Sequence, residues 1–369
     1  MTNLRTDLTP TRRAFTRALA AAPFMPSFSL AQTPSNAKLR YCIVGLGRIS
    51  LQHFMPACKT AQKSTITALV SGHRDKAEKT ASEYGVPAKN IYSYQNYDEI
   101  AGNSDIDAAY IALPNSMHAE YTIRAANAGK HVLCEKPMAT SVKDSQAMID
   151  ACKAAQKKLM IAYRCQYEPT NLRAIQMIRD GDLGVIQAIE SANGFNENAG
   201  EWRLNRKLAG GGPLMDVGIY SLNACRYLTG EEPVHLEGYA SVIDKDGRFS
   251  EVEENCGWTM RFPSGVVASC NTTYGAQMNG FVRVHGSKGV LHMEPAFSYE
   301  GIKLKADIKG QTPIEQAEDE KDPAQFVREA DYFAECVFDN KEPKSNGQEG
   351  LRDMQYMAQI YKSAGRSPG

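Results

Sequence analysis

The strongest constraint on this chain is an alternation that begins at Leu39. Short apolar, β-branched runs occur at Leu39–Val44, Ser64–Val70, Ile91–Tyr92, Ala108–Leu113, His131–Cys134 and Leu159–Ala162. Between most of them lie stretches of helical period, at Ile49–Cys58, Asp75–Tyr84, Met117–Ala128 and Val142–Ala155. Strands separated by helices pair in parallel, because each helix carries the chain back to the sheet's starting edge. Right-handed crossovers then cover both faces, and ligands bind at the C-terminal ends of the strands. Residues 38–162 are therefore expected to form a doubly wound parallel sheet.

The texture changes after Tyr163. A helix near Thr170–Arg179 is followed by a strand at Val185–Ala192 and a long loop, Asn193–Gly212. A helix at Leu214–Leu228 precedes longer alternating strands at Val234–Ile243, Glu251–Phe262, Val266–Thr273, Phe281–Gly286 and Gly289–Glu294. Two helices, near Ala324–Asp339 and Gly347–Ser363, close the chain. Alternation of apolar and polar residues predicts a mostly antiparallel sheet with one face covered by helices. The class is thus α/β plus α+β, with residues 163–369 as the second domain.

Charge narrows the function classes. The chain has 42 basic and 42 acidic residues, so no basic excess points to nucleic acid. No apolar run is long enough to span a membrane. The nine cysteines form no close pair of the CxxC kind, so neither a disulfide framework nor a metal site is expected.

Residues 1–31 read as a twin-arginine leader. Thr11-Arg12-Arg13-Ala14-Phe15 precedes a mildly apolar, alanine-rich stretch, and Ser29-Leu30-Ala31 ends on a small residue. That route exports folded proteins, in accord with cysteines that suit a reducing compartment during folding. The expected destination is the periplasm, with no membrane association after export.

Four motifs carry chemistry. Gly45-Leu46-Gly47-Arg48-Ile49-Ser50 follows the first strand directly. Two glycines there permit a tight turn and close approach to a pyrophosphate at a helix start, the pattern of a Rossmann dinucleotide site. Ser50 stands where a third small residue packs helix against strand. At the end of the second strand, Ser71-Gly72-His73-Arg74-Asp75-Lys76 offers no carboxylate for a ribose diol. Ser71, Arg74 and Lys76 suit a 2′-phosphate instead, so NADP is favoured over NAD. Glu135-Lys136-Pro137 follows the fifth strand, and Lys136 can orient a substrate hydroxyl. In Gly212–Tyr220, Asp216 and Tyr220 stand four apart on a predicted helix and share a face. A tyrosine beside a lysine can accept a proton, because the ammonium stabilises the phenolate.

These motifs together resemble the Gfo/Idh/MocA oxidoreductases, and within them the glucose–fructose and aldose–aldose types. The resemblance runs from about Leu39 to the C-terminus. It rests on the glycine turn, Ile91-Tyr92-Ser93-Tyr94, Leu113–Glu120, Cys134–Ser141, Tyr163-Arg164-Cys165, Trp202-Arg203-Leu204 and Met215–Tyr220. It implies that Lys136 and Tyr220 are catalytic, with Asp216 their polar companion. Gly45, Gly47, Arg48 and Ile49 would hold the pyrophosphate turn, and Ser71, Arg74, Lys76 and Tyr94 the adenosine phosphate end. Leu113, Pro114, Asn115, His118, Glu135, Lys136, Arg164, Trp202 and Arg203 would line the rest of the cofactor. The second sheet would cover the substrate and pair subunits into a homodimer or homotetramer.

The implied reaction oxidises an aldose such as glucose at its anomeric carbon to a lactone. A second sugar is reduced to an alditol on the same tightly bound NADP. A simple aldose or xylose dehydrogenase releasing NADPH is the alternative within the class, and a non-catalytic NADP-binding sensor the alternative outside it. Only Gln32 to Lys38 separates leader from first strand. That is short for an arm that buries a cofactor.

Overall fold

The computed structural model describes residues 37–317 and 324–366. The leader expected at 1–31 lies outside the described residues.

The first sheet has six strands: β1 (Leu39–Val44), β2 (Ser64–Val70), β3 (Ile91–Tyr92), β4 (Ala108–Ile111), β5 (His131–Glu135) and β6 (Leu159–Ala162). All pair in parallel, in the order β3-β2-β1-β4-β5-β6. The order reverses between β1 and β4, which opens a crevice at their C-terminal ends. β1 is buried on both faces, which is why it reads as an unbroken apolar run. Strand β4 stops two residues short of the expected Leu113. Ala112 still bonds Val44, but the chain then turns away toward the crevice.

The helices of this half are α1 (Met55–Thr60), entered through a wide π turn at Ser50–Phe54, α2 (Arg74–Tyr84), α3 (His118–Asn127) and α4 (Val142–Ala154). Gly85, at φ +68, ends α2 in the left-handed cap that only glycine adopts cheaply. Ser141 caps α4 by accepting from the Asp144 N–H.

The second half begins with α5 (Pro169–Arg179), whose first N–H groups are capped by the buried Glu168 carboxylate. It continues through β7 (Ile186–Gly194), α6 (Arg206–Ala209) and α7 (Ile219–Thr229). α6 lies inside the segment expected to be loop. Its sheet adds β8 (His235–Ser241), β9 (Asn255–Arg261), β10 (Val267–Thr273), β11 (Phe281–Gly286), β12 (Gly289–Met293), β13 (Lys303–Ile308) and β14 (Ile314–Ala317). The order is β14-β13-β12-β11-β7-β10-β9-β8, antiparallel except where β7 pairs β10. β9 starts four residues later than expected, because Glu253 and Glu254 turn out of the strand. Their carboxylates receive the Gly212 and Leu214 N–H groups and those of Ile243 and Asp244, respectively. β13 and β14 were not expected. In β13, Leu304, Ala306 and Ile308 alternate with exposed residues, so its signal was present.

The last helices, α8 (Ala324–Phe338) and α9 (Gly347–Ser363), return to the first half. Phe326, Ala330, Phe333 and Ala334 of α8 enter the core beneath β1 and α1, and the Tyr41 hydroxyl donates to the Ala330 carbonyl. Arg226 of α7 is buried among Glu232, Glu349 and Asp353, which ties α7 to α9. All nine cysteines are buried free thiols. Among the described residues no helix is long and apolar enough to cross a membrane, and no cluster of ligating side chains could hold a metal.

Candidate active site

Gly45 ends β1 at φ +98, and a Cβ there would stand 2.4 Å from the Ala112 carbonyl oxygen. The turn therefore requires glycine on two counts, conformation and space. A Cβ on Gly47 would meet nothing within 4 Å, so this position opens onto the crevice. Ser50 is buried, and its hydroxyl donates to the Gly45 carbonyl at 2.6 Å. Its place in the motif thus reflects more than small size, since the hydroxyl closes the turn.

Beside this turn, Lys76 donates its ammonium to the Leu46 carbonyl at 2.5 Å. The buried Ser71 hydroxyl accepts the His73 N–H, and the Tyr94 ring lies 3.2 Å from where a Gly72 Cβ would stand. Arg74 is spent on Glu78 and the Ile91 carbonyl. The corner thus holds a hydroxyl, an ammonium and a ring, with no acid at the Ser71 position.

A cleft of about 340 Å³ lies at the crevice. Gly47, Arg48 and Ile49 border it from β1, and Leu113, Pro114, Asn115 and His118 from β4. Glu135 and Lys136 enter from β5, Arg164 from β6, and Trp202, Arg203, Asp216 and Tyr220 from the second half. Gly45, Ser71, Arg74, Lys76 and Tyr94 do not line it. Gly45 lies behind the turn, and the others sit at or behind the β2 corner. A second cavity, about 380 Å³ between α4 and the start of α9, holds none of the motif residues.

Two buried contacts brace the β4 side. Asn115 donates to the Ala209 carbonyl of α6. The His118 ring stands between the Pro137 and Leu113 carbonyls, at 2.8 and 2.9 Å. Burial outweighs both carbonyls and pushes the imidazole pKa down to about 4, so the ring is neutral near pH 7 and its single N–H donates to one of the two carbonyls. Burial likewise raises the Glu135 carboxyl, which accepts the Tyr110 hydroxyl at 2.6 Å.

Asp216 is the hub of the cleft. It lies in a π turn at Leu214–Gly218 that leads into α7. One carboxylate oxygen accepts from the Lys136 ammonium at 3.1 Å, and the other from Arg203 at 2.8 Å and the Tyr274 hydroxyl at 2.9 Å. Lys136 also bonds the Asp216 carbonyl at 2.6 Å. Burial works against this carboxylate, but Lys136 and Arg203 outweigh it and hold its pKa well below the usual range.

Tyr220 follows on α7. Its ring lies 4.6 Å from the Lys136 ammonium and 5.0 Å from the Arg164 guanidinium carbon. Burial raises the phenol, with Arg164 the chief opposing influence. Glu201, Tyr274 and Tyr299 belong to this site and were not found in the sequence. Tyr299 lies in the loop between β12 and β13, where nothing in the sequence marks it. Tyr274 follows β10, and only the fold brings it to Asp216. The arrangement can bind a dinucleotide along the crevice and move a proton at the Tyr220 oxygen.

Comparison with known proteins agrees with this geometry. Residues 39–163 match the model of an oxidoreductase family with an NAD-binding Rossmann fold, and residues 171–292 match the GFO/IDH/MocA C-terminal domain. The chain is 30% identical over 349 residues to D-xylose 1-dehydrogenase [NADP(+)] of Haloarcula marismortui, covering 90% of this chain and 93% of that one. It superposes on the aldose–aldose oxidoreductase of Caulobacter crescentus, solved with glycerol, with a TM-score of 0.85 and 44% identity, covering 89% of this chain and 97% of that one. A 3-ketoreductase of Actinomadura kijaniata, solved with NADP and TDP-benzene, shares the fold at a TM-score of 0.77 and 22% identity, over 90% of this chain and 99% of that one.

Proposed function

The chain belongs to the Gfo/Idh/MocA oxidoreductase family and is a sugar oxidoreductase dependent on a nicotinamide dinucleotide, and from that premise we propose that it is an NADP enzyme coupling two sugars. One aldose, such as glucose, is oxidised at the anomeric carbon to a lactone. A second sugar, fructose or another aldose, is reduced to an alditol on the same retained cofactor. The observation that carries this reading is the Lys136–Asp216–Tyr220 group at the dinucleotide crevice, in a chain 44% identical to an aldose–aldose oxidoreductase.

The Gly45–Gly47 turn and the helix start would take the pyrophosphate, and Ser71, Lys76 and Tyr94 the 2′-phosphate end. NADP, when bound, supplies the hydride acceptor. Lys136, held by Asp216, orients the anomeric hydroxyl. Tyr220 takes the hydroxyl proton and later returns it to the carbonyl oxygen of the second sugar. Over both half-reactions the proton count at Tyr220 closes, as two-sugar ping-pong kinetics require.

We assign the enzyme to the periplasm on its Arg12-Arg13 leader. Subunit pairing is assigned to the second sheet's outer face, which carries the exposed Tyr239 and Val267, and light scattering tests it. A plain dehydrogenase is the second reading, favoured by the xylose dehydrogenase relative. One experiment separates the two. The purified protein is denatured and its released nucleotide identified, and native protein is given glucose and a second sugar without nucleotide. Copurified NADP with lactone and alditol in equal amounts supports the coupled enzyme. Nucleotide-free protein that needs a continuous supply of NADP leaves the dehydrogenase.

A further inference from the structure

Arg164 has an unusual electrostatic position. It opens the turn after β6, and its side chain is only 4% exposed. Its guanidinium donates to the Tyr220 hydroxyl at 3.2 Å, the Ser298 carbonyl at 3.0 Å, the Phe297 carbonyl at 2.5 Å and Gln325 Oε1 at 2.7 Å. Its carbon also lies 4.4 Å from the Tyr299 ring centroid. Every one of these acceptors is neutral. Among the described residues no carboxylate forms an ion pair with it. A buried cation without a countercharge is costly, and the cost falls when a neighbour becomes an anion. The Tyr220 oxygen is the one bonded acceptor that can lose a proton and become an anion.

Lys136 stands in the opposite situation. It too lies over the Tyr220 ring, but its ammonium is already bonded to the Asp216 carboxylate and carbonyl. Its charge is therefore largely compensated before any proton moves. From this contrast we propose that Arg164, rather than Lys136, is the positioning residue that aims the Tyr220 phenol and sets its proton affinity. This rests on the reading of Tyr220 as the proton-transferring group. Four of the five N–H donors of Arg164 go to protein acceptors, which fixes its plane against Tyr220 at the edge of the cleft.

The surroundings support the assignment. Tyr220 faces Lys136 and Glu135 from β5, Asp216 from its own helical run, Cys165 beside Arg164, and Phe297 and Tyr299 from the loop after β12. Behind Arg164 lie Gln325 and Glu329 of α8, with Lys344 farther off. Burial raises both Glu135 and Glu329, and neither is bonded to Arg164: Glu135 accepts the Tyr110 hydroxyl and the Lys136 N–H, and the Glu329 oxygens have no hydrogen-bond partner among the described residues. Gln325 also donates to the Tyr299 carbonyl, which fixes the loop that holds Arg164 from the other side.

The test is direct titration. 3-Fluorotyrosine is placed at Tyr220 and its ionisation followed by fluorine NMR, without sugar, in otherwise wild-type protein and in Arg164→Met and Lys136→Met backgrounds. A cation at this distance shifts a neighbour by about one to three pH units. Arg164→Met is therefore expected to raise the midpoint by at least about one pH unit, and Lys136→Met by clearly less. The acid limb of the kcat profile for aldose oxidation should move with it, while the sugar KM stays within about threefold. Arg164→Lys keeps the charge but loses the fork, so its midpoint should fall between wild type and Arg164→Met. If Arg164→Met does not fold, Arg164→Gln, which removes the charge but keeps hydrogen-bond donors, carries the test, and an unmoved midpoint in it overturns the proposal. A larger shift in Lys136→Met than in Arg164→Met overturns it also. Because the titration needs no substrate, a wrong sugar assignment would leave its outcome intact.

Discussion

The Lys136 ammonium lies 4.6 Å from the centroid of the Tyr220 ring, yet its hydrogen bonds go to Asp216. It meets the face of the tyrosine and not its oxygen. The two residues can then act on one substrate hydroxyl from different directions, Lys136 orienting it and Tyr220 exchanging its proton.

Lys136→Ala and Tyr220→Phe should each lower kcat by about 10²–10⁴-fold, the range for removing an acid–base group. Circular dichroism and the thermal midpoint should show the fold intact. Less than tenfold loss in both variants would remove them from the reaction.

Asp216→Asn keeps the shape of the hub and removes its charge. Lys136 and Arg203 then lose their shared countercharge in a mostly buried setting. Stability by denaturant titration should fall by about 3 kcal/mol. Turnover should fall as well, since Lys136 is no longer anchored. A variant as stable as wild type would show that the cations find another partner.

Ser71→Asp places a carboxylate at the end of β2, where the side chain already accepts the His73 N–H. It should repel a 2′-phosphate and accept from a ribose hydroxyl, moving the NADP/NAD affinity ratio at least about tenfold toward NAD. Calorimetric titration with both nucleotides reads this. An unchanged ratio means Ser71 does not face the ribose.

Gly45→Ala forces an alanine into φ +98 with its Cβ against the Ala112 carbonyl oxygen. The strain alone costs about 1–2 kcal/mol. Nucleotide affinity should drop more than stability, because the turn must shift to relieve the clash. The same substitution at Gly47, where space is open, should leave stability within about 0.5 kcal/mol.

His131 gives a pH dependence of known sign. Burial, with Lys157 and Lys158 nearby, pushes its pKa from 6.5 down to about 4. Its Nδ1 accepts the Lys158 N–H, a bond that requires an unprotonated nitrogen. The folded chain thus binds fewer protons than the unfolded one between these values, so protonation favours unfolding. The stability this group contributes is present above about pH 6.5 and lost as the pH falls through 4. His131→Asn, whose oxygen can accept the same N–H, should flatten the decline of Tm over that window. Parallel curves for the two proteins would assign the decline to other groups.

Much of this molecule was legible without a fold. β1, β2, β3, β6, β11 and α9 have the bounds expected from local pattern. Hydrophobic period and turn residues act over a few positions, so the chain carries those elements in itself. The glycine turn and the residues Lys136, Asp216 and Tyr220 were nominated by motif, which is also local. What tertiary structure alone decided is which of those groups touch. Arg164 reaches Tyr220 across 56 positions and Gln325 across 161, and Tyr274 reaches Asp216 across 58. The return of α8 beneath β1 belongs to the same class. No period or spacing encodes such contacts. They arise when two sheets and their helices pack, and burial then sets each group's charge through the neighbours that packing supplies.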